Sequence, residues 1–224
     1  MKKIYCLLTV LLVLVFSLSA LRLANAGDEP SDDIKNAAKE GVNELLKDKR
    51  NGGLHRLGFN SQSEIDDADL GAGFQIYTIR PEKLLNETTS LDLHSLLVPT
   101  NQWQFMVVSG IKSYALLTVD LFDGKWSPVS IGSSDLAKEL SDILKAWPAS
   151  SGYKYRLIRV YQANSNFIEL SQTGKVLGII PLASFLAATS DVATNAFDPI
   201  GLRDPKEVLP SLRPIIKRNL EKNR

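Results

Sequence analysis

The chain has 224 residues, with 26 Lys and Arg against 25 Asp and Glu and a formal net charge of +1, which excludes the bulk positive field that draws proteins to nucleic acid or anionic lipid. A hydrophobic content of 44%, with only 14 Gly and 10 Pro, excludes a disordered chain. The single cysteine, Cys6, excludes an intrachain disulfide framework.

Residues 1–26 read as a cleavable signal peptide: Lys2-Lys3, an apolar run over 4–21, then Ala24-Asn25-Ala26 as a small-residue exit. Cleavage after Ala26 predicts an exported chain, periplasmic or extracellular, with no stable membrane span. The alternative is an uncleaved N-terminal anchor, because the run is almost long enough to cross a bilayer; Arg22 and the A-x-A exit favour cleavage. Cys6 leaves with the leader, so thiol chemistry and cysteine-bound metal leave with it. The leader holds three of the 26 basic residues (Lys2, Lys3, Arg22) and no acid, so the remainder carries 23 basic against 25 acidic residues.

Ser31-Asp32-Asp33 is a helix start, and Ile34, Ala37, Ala38, Val42, Leu45 and Leu46 follow helical spacing up to Asn51-Gly52-Gly53. Residues 61–71 carry a capping box, Ser61-x-x-Glu64, and a glycine stop, which predicts a short helix. Residues 74–79 read as a strand, with Pro81 opening another short helix through Leu85. Residues 86–100 read as a loop or a loosely helical connection.

The stretch from Trp103 to Trp147 holds all three tryptophans and organises the prediction. Residues 102–108 and 114–121 alternate as strands, and Ala115, Leu117, Val119 and Leu121 give the second one a wholly apolar face. Asp123-Gly124 predicts a two-residue hairpin turn, because both residues tolerate positive φ. Residues 125–131 return, and Pro128 within them predicts an edge strand or a bulge. Ser133-Ser134-Asp135 then starts a helix whose stripe of Leu136, Leu140, Ile143, Leu144 and Trp147 is expected to pack on that apolar face.

Residues 153–162, 167–171 and 176–180 form a predicted antiparallel meander, followed by a short helix over 182–188. Beyond Asp191, Pro199, Pro205, Pro210 and Pro214 interrupt the pattern, and residues 215–224 end the chain as a basic docked helix or a frayed tail. The organisation is therefore a leader (1–26), an α+β globular domain (27–190) and a proline-interrupted basic extension (191–224). The fold class is α+β, a largely antiparallel sheet of about five to seven strands with two main amphipathic helices packed on it.

No catalytic motif stands out. Counting an EF-hand from Asp67 puts Ala72 at the sixth position and Thr78 at the twelfth, so the acidic cluster Asp66, Asp67 and Asp69 fails the calcium pattern. His55 and His94 lack metal-ligand spacing, no G-x-S-x-G elbow is present, and Gly71-x-Gly73 precedes a strand rather than a helix. No metal and no cofactor are predicted. Asn86-Glu87-Thr88 is a formal glycosylation sequon. The strongest surface candidate is the stripe Tyr153, Tyr155, Leu157, Arg159 and Tyr161, joined by Trp103 or Trp126, because aromatic faces give large contact area at low entropy cost. The expectation is a noncatalytic extracytoplasmic binding protein whose partner is a protein, peptide or glycan of the cell envelope. The alternative is an envelope hydrolase whose site assembles only in three dimensions, for which a pocket with carboxylates around His55 or His94 is the discriminating feature.

Overall fold

The computed structural model describes residues 29–49, 57–86, 92–189, 198 and 200–222. The predicted leader, His55, all but the first residue of the sequon and residues 190–197 lie outside them. The described chain runs α1 (Asp32–Lys49), α2 (Gln62–Asp66), β1 (Asp69–Ile79), α3 (Pro81–Asn86), α4 (Leu93–Leu96), β2 (Leu97–Ser109), β3 (Lys112–Phe122), β4 (Lys125–Gly132) and α5 (Ser134–Ala146). It continues with β5 (Tyr153–Val160), β6 (Ser165–Gln172), β7 (Lys175–Pro181), α6 (Ala183–Thr189), α7 (Pro205–Val208) and α8 (Arg213–Lys222).

Seven strands form one sheet in the order β4-β3-β2-β1-β5-β6-β7. Two antiparallel meanders meet at its centre, where β1 and β5 run parallel through Ile76 to Leu157, Tyr77 to Ile158 and Thr78 to Arg159. The α+β class follows directly. Asp123 and Gly124 both take positive φ (49° and 79°), so the β3–β4 turn uses the two residues that bear it best. Pro128 lies on the edge strand, beside a register shift that leaves Val129 as an extra residue. Thr173 and Gly174 repeat the positive-φ pair between β6 and β7.

The sheet is covered on both faces. Trp103, Phe105 and Val107 of β2 and Ala115, Leu117 and Val119 of β3 share a cluster with Ile34, Ala38 and Val42 of α1. Farther along that face, Tyr77, Ile158, Val160, Phe167 and Ile179 pack with Leu209, Leu212, Ile215 and Ile216 at the C-terminus. The basic end is therefore a docked helix. The opposite face presents Phe74, Ile76, Met106, Leu116, Leu157, Ile168 and Ile180 to Ala137, Leu140 and Ile143 of α5.

That arrangement corrects the expected pairing. The face of Ala115, Leu117 and Val119 is buried under α1, while α5 covers Leu116 on the other side. Residues 115–117 are apolar on both faces, so alternation alone does not choose between them. The chain changes face at Ser133, whose φ of 56° is left-handed. Its hydroxyl makes no capping bond there, because a capping serine needs extended backbone geometry.

Residues 69–71 also differ from expectation, belonging to β1 rather than to a helix. The helix is confined to Gln62–Asp66, where Ser61 Oγ accepts from Glu64 N at 3.2 Å and Glu64 Oε2 accepts from Asn60 N at 2.6 Å. Gly71 and Gly73 serve as close-approach points. A Cβ on Gly73 would meet the Phe105 ring at 2.6 Å, and one on Gly71 would meet Val108 at 2.9 Å.

Candidate functional site

Strand alternation places Tyr153, Tyr155, Leu157 and Arg159 on one face of β5, opposite Gln172, Leu170, Ile168 and Asn166 of β6. The first part of this stripe forms the seat of α5. Leu157 is fully buried beneath the helix, and Tyr155 meets the Phe74 ring edge-on at 6.4 Å while its hydroxyl donates to the Trp147 carbonyl. Burial, with Tyr153 adding to it, pushes the Tyr155 hydroxyl above its usual pKa. Tyr153 packs edge-on against the Trp147 indole at 5.3 Å.

Trp103 and Trp126 do not join them. Trp103 is buried 6.2 Å from Phe105 in the cluster under α1, and Trp126 is half-buried against the same cluster. Their alternation directs both to the face opposite the stripe, so the sheet itself separates the two groups.

Arg159 and Tyr161 have a different setting. Beside the area that α5 covers the sheet face turns polar, and side chains from five elements connect across it. Gln104 donates to Thr118 Oγ1 at 3.3 Å and accepts from Arg159 Nη2 at 3.2 Å; Arg159 Nε donates to Asn166 Oδ1 at 3.0 Å, and Asn166 donates to Ser184 of α6 at 3.0 Å. A second row runs beside the first. The Tyr161 hydroxyl donates to Gln102 Oε1 at 3.2 Å, and Gln102 Nε2 donates to Asp120 Oδ2 at 2.8 Å. Tyr161 lies in the 3-10 turn Tyr161–Ala163 rather than in the predicted strand, because Asn164, at a φ of 48°, closes the chain back into β6. Gln104 is only 4% exposed, whereas Tyr161 is 47% exposed and Phe122, on the same face of β3 by alternation, is 55% exposed.

A second cluster occupies the opposite face of β5 and β6. Glu169, 1% exposed, accepts from Arg156 Nη1 at 3.1 Å, and His94 Nε2 of α4 lies 3.5 Å from the same carboxylate oxygen and 3.3 Å from Arg156 Nη1. The Arg156 guanidinium also lies 5.3 Å from the Tyr77 ring centroid, within cation–π range. The His94 side chain is half-exposed and lines a cleft of about 520 Å³ with Asp92, Gly178, Arg203, Asp204 and Lys206. Asp92 and Asp204 each accept a backbone N–H as helix caps, from His94 and Lys206.

Asp66, Asp67 and Asp69 are occupied locally, accepting from Gln62, Ser63 and the Leu70 backbone. Among the described residues no group of three or more His, Cys, Asp or Glu could hold a metal ion, and no helix is long and apolar enough to cross a membrane.

Sequence reasoning did not single out Gln102, Gln104, Asp120 and Asn166, nor the Arg156–Glu169 pair. A signal was present: Gln104 is flanked by Trp103 and Phe105, and Glu169 by Ile168 and Leu170, so each is a polar residue between apolar neighbours for which burial is the rule. The chain matches no protein-family model, no curated protein and no solved structure.

Proposed function

We propose that this chain is an exported binding protein of the cell envelope and that it engages its partner through the polar sheet face of Gln102, Gln104, Asp120, Arg159, Asn166 and Tyr161. The N-terminal pattern of residues 1–26 supports export. The observation that carries the binding reading is the cross-strand band itself. Its members hold one another in fixed orientations beside the exposed rings of Tyr161 and Phe122, so little side-chain freedom remains to be lost on association.

Tyr155 supports the fold beneath α5, so the decisive variant leaves it alone. Replacing Tyr161 and Gln102 together by Ala is expected to preserve circular dichroism and melting behaviour while abolishing capture of the partner from native cell-envelope extract. A folded double variant that still captures everything the wild type captures would remove this face from consideration.

A second reading, an envelope hydrolase, has one observation in its favour: the buried Glu169 carboxylate stands behind a half-exposed His94 at the rim of a cleft, an arrangement suited to orienting an imidazole as a general base. Turnover of a panel of activated esters that disappears in His94→Asn, with the fold intact, would favour this reading over the first.

A further inference from the structure

We infer that Arg159 is the recognition point for a carboxylate and that the occupant of the polar face is an acidic, partly apolar peptide segment. This rests on the binding reading above and adds the chemistry of the partner.

The band holds two charged residues, Asp120 and Arg159. Asp120 accepts from two neutral donors, Gln102 Nε2 on Oδ2 at 2.8 Å and Leu121 N on Oδ1 at 2.8 Å. Arg159 too is held by neutral groups alone. Its two side-chain hydrogen bonds go to neutral amide oxygens, Asn166 Oδ1 and Gln104 Oε1, and among the described residues no carboxylate forms an ion pair with it. A guanidinium carries five N–H donors in a planar fork, so Nη1 and the second hydrogen of Nη2 lie outside these bonds. A half-buried cation whose neighbours fix its plane without neutralising its charge is preorganised for a bidentate carboxylate.

Phe122 and Tyr161 are both more than 40% exposed and offer apolar contact beside the Arg159 fork, so the partner that fits carries apolar side chains next to its carboxylate, as an acidic peptide does.

The test uses the purified full chain and two short fluorescein-labelled peptides, one alternating Glu and Leu and its counterpart with Gln at every Glu, read by fluorescence polarisation. The wild type is expected to bind the Glu peptide about tenfold more tightly, the size of one charge-assisted hydrogen-bond pair, with the preference shrinking as salt is raised. Arg159→Gln is expected to bind both peptides equally, and Arg159→Lys, which keeps the charge without the fork, to retain part of the preference. Circular dichroism checks that both variants are folded. A preference that survives Arg159→Gln, equal binding of both peptides by wild type, tighter binding of an oligogalacturonate than of the Glu peptide, or no binding of either peptide would each overturn the inference. Equal binding that is lost in Tyr161→Ala would overturn the charge assignment alone and leave the face as a docking surface.

Discussion

Glu64 and Glu139 are displaced from the ordinary carboxylate value of 4.5 in opposite directions. The Asn60 backbone N–H and then the Tyr114 hydroxyl hold Glu64 down, with Lys112 at 3.8 Å adding to them, whereas burial at the α5–α6 junction raises Glu139 against the opposing hydrogen bond from Ala183 N. The lowered group contributes stability that is present above 4.5 and lost as pH falls through its folded value. The raised group contributes stability that is present below 4.5 and lost as pH rises through its folded value. Melting temperature measured against pH is therefore expected to fall less steeply in acid for Glu64→Gln, and to fall less between 4.5 and neutrality for Glu139→Gln. Superimposable profiles for wild type and Glu139→Gln would refute the assignment. Glu169 poses a larger stake, because truncating it removes the carboxylate that faces the mostly buried Arg156 guanidinium. Glu169→Ala is expected to cost about 3 kcal/mol in urea unfolding, and replacing Glu169 and Arg156 together by Leu and Met to recover most of it.

Among the elements, α1 is where simple propensity misleads. Gly41 sits in mid-helix, where alanine is ordinarily better by about 1 kcal/mol. A Cβ there would stand 2.4 Å from Pro128 Cβ and 3.0 Å from Leu117 Cδ1, so the helix lies directly on the edge strand. Gly41→Ala is expected to destabilise by about 1–2 kcal/mol net, since overpacking outweighs the propensity gain; a rise in chemical-denaturation midpoint would show that the contact yields easily. The sequence made strand and helix identities readable where one period dominated: α1, α5, the β5–β6–β7 meander and the Asp123-Gly124 turn all follow from local pattern. It did not reveal which face α5 takes. That choice depends on a single left-handed residue, Ser133, and on a β3 segment apolar on both sides. The start of β1 was hidden as well, because Gly71 and Gly73 have the same letter whether they end a helix or let Phe105 and Val108 lie close.

At the scale of the whole molecule, the site was legible only where its residues share a strand. Arg159 stood out within β5, but its side-chain partners come from β2 and β6, and the pairing of β1 with β5 that aligns the two meanders leaves no local mark. The same pairing bears on cooperativity. Leu140, almost fully buried on α5, shares one cluster with Phe74 and Ile76 of β1, Met106 of β2 and Leu116 of β3 on one side, and with Leu157, Ile168 and Ile180 of β5, β6 and β7 on the other. On the reverse face, the segment after α6 closes the outer edge: Arg203 exchanges both backbone hydrogen bonds with Ile179 at 2.8 and 3.0 Å, and Leu212 and Ile216 then bury against the second meander. A helix seated on both meanders should make them melt as one body, since opening either exposes the apolar face of α5. Leu140→Ala is expected to lower stability by about 3 kcal/mol, with tryptophan fluorescence and far-UV circular dichroism still giving one coincident urea transition of unchanged slope. Two separated transitions, with only one shifted by the substitution, would mean that the parallel β1–β5 seam opens independently and that α5 stabilises one half alone.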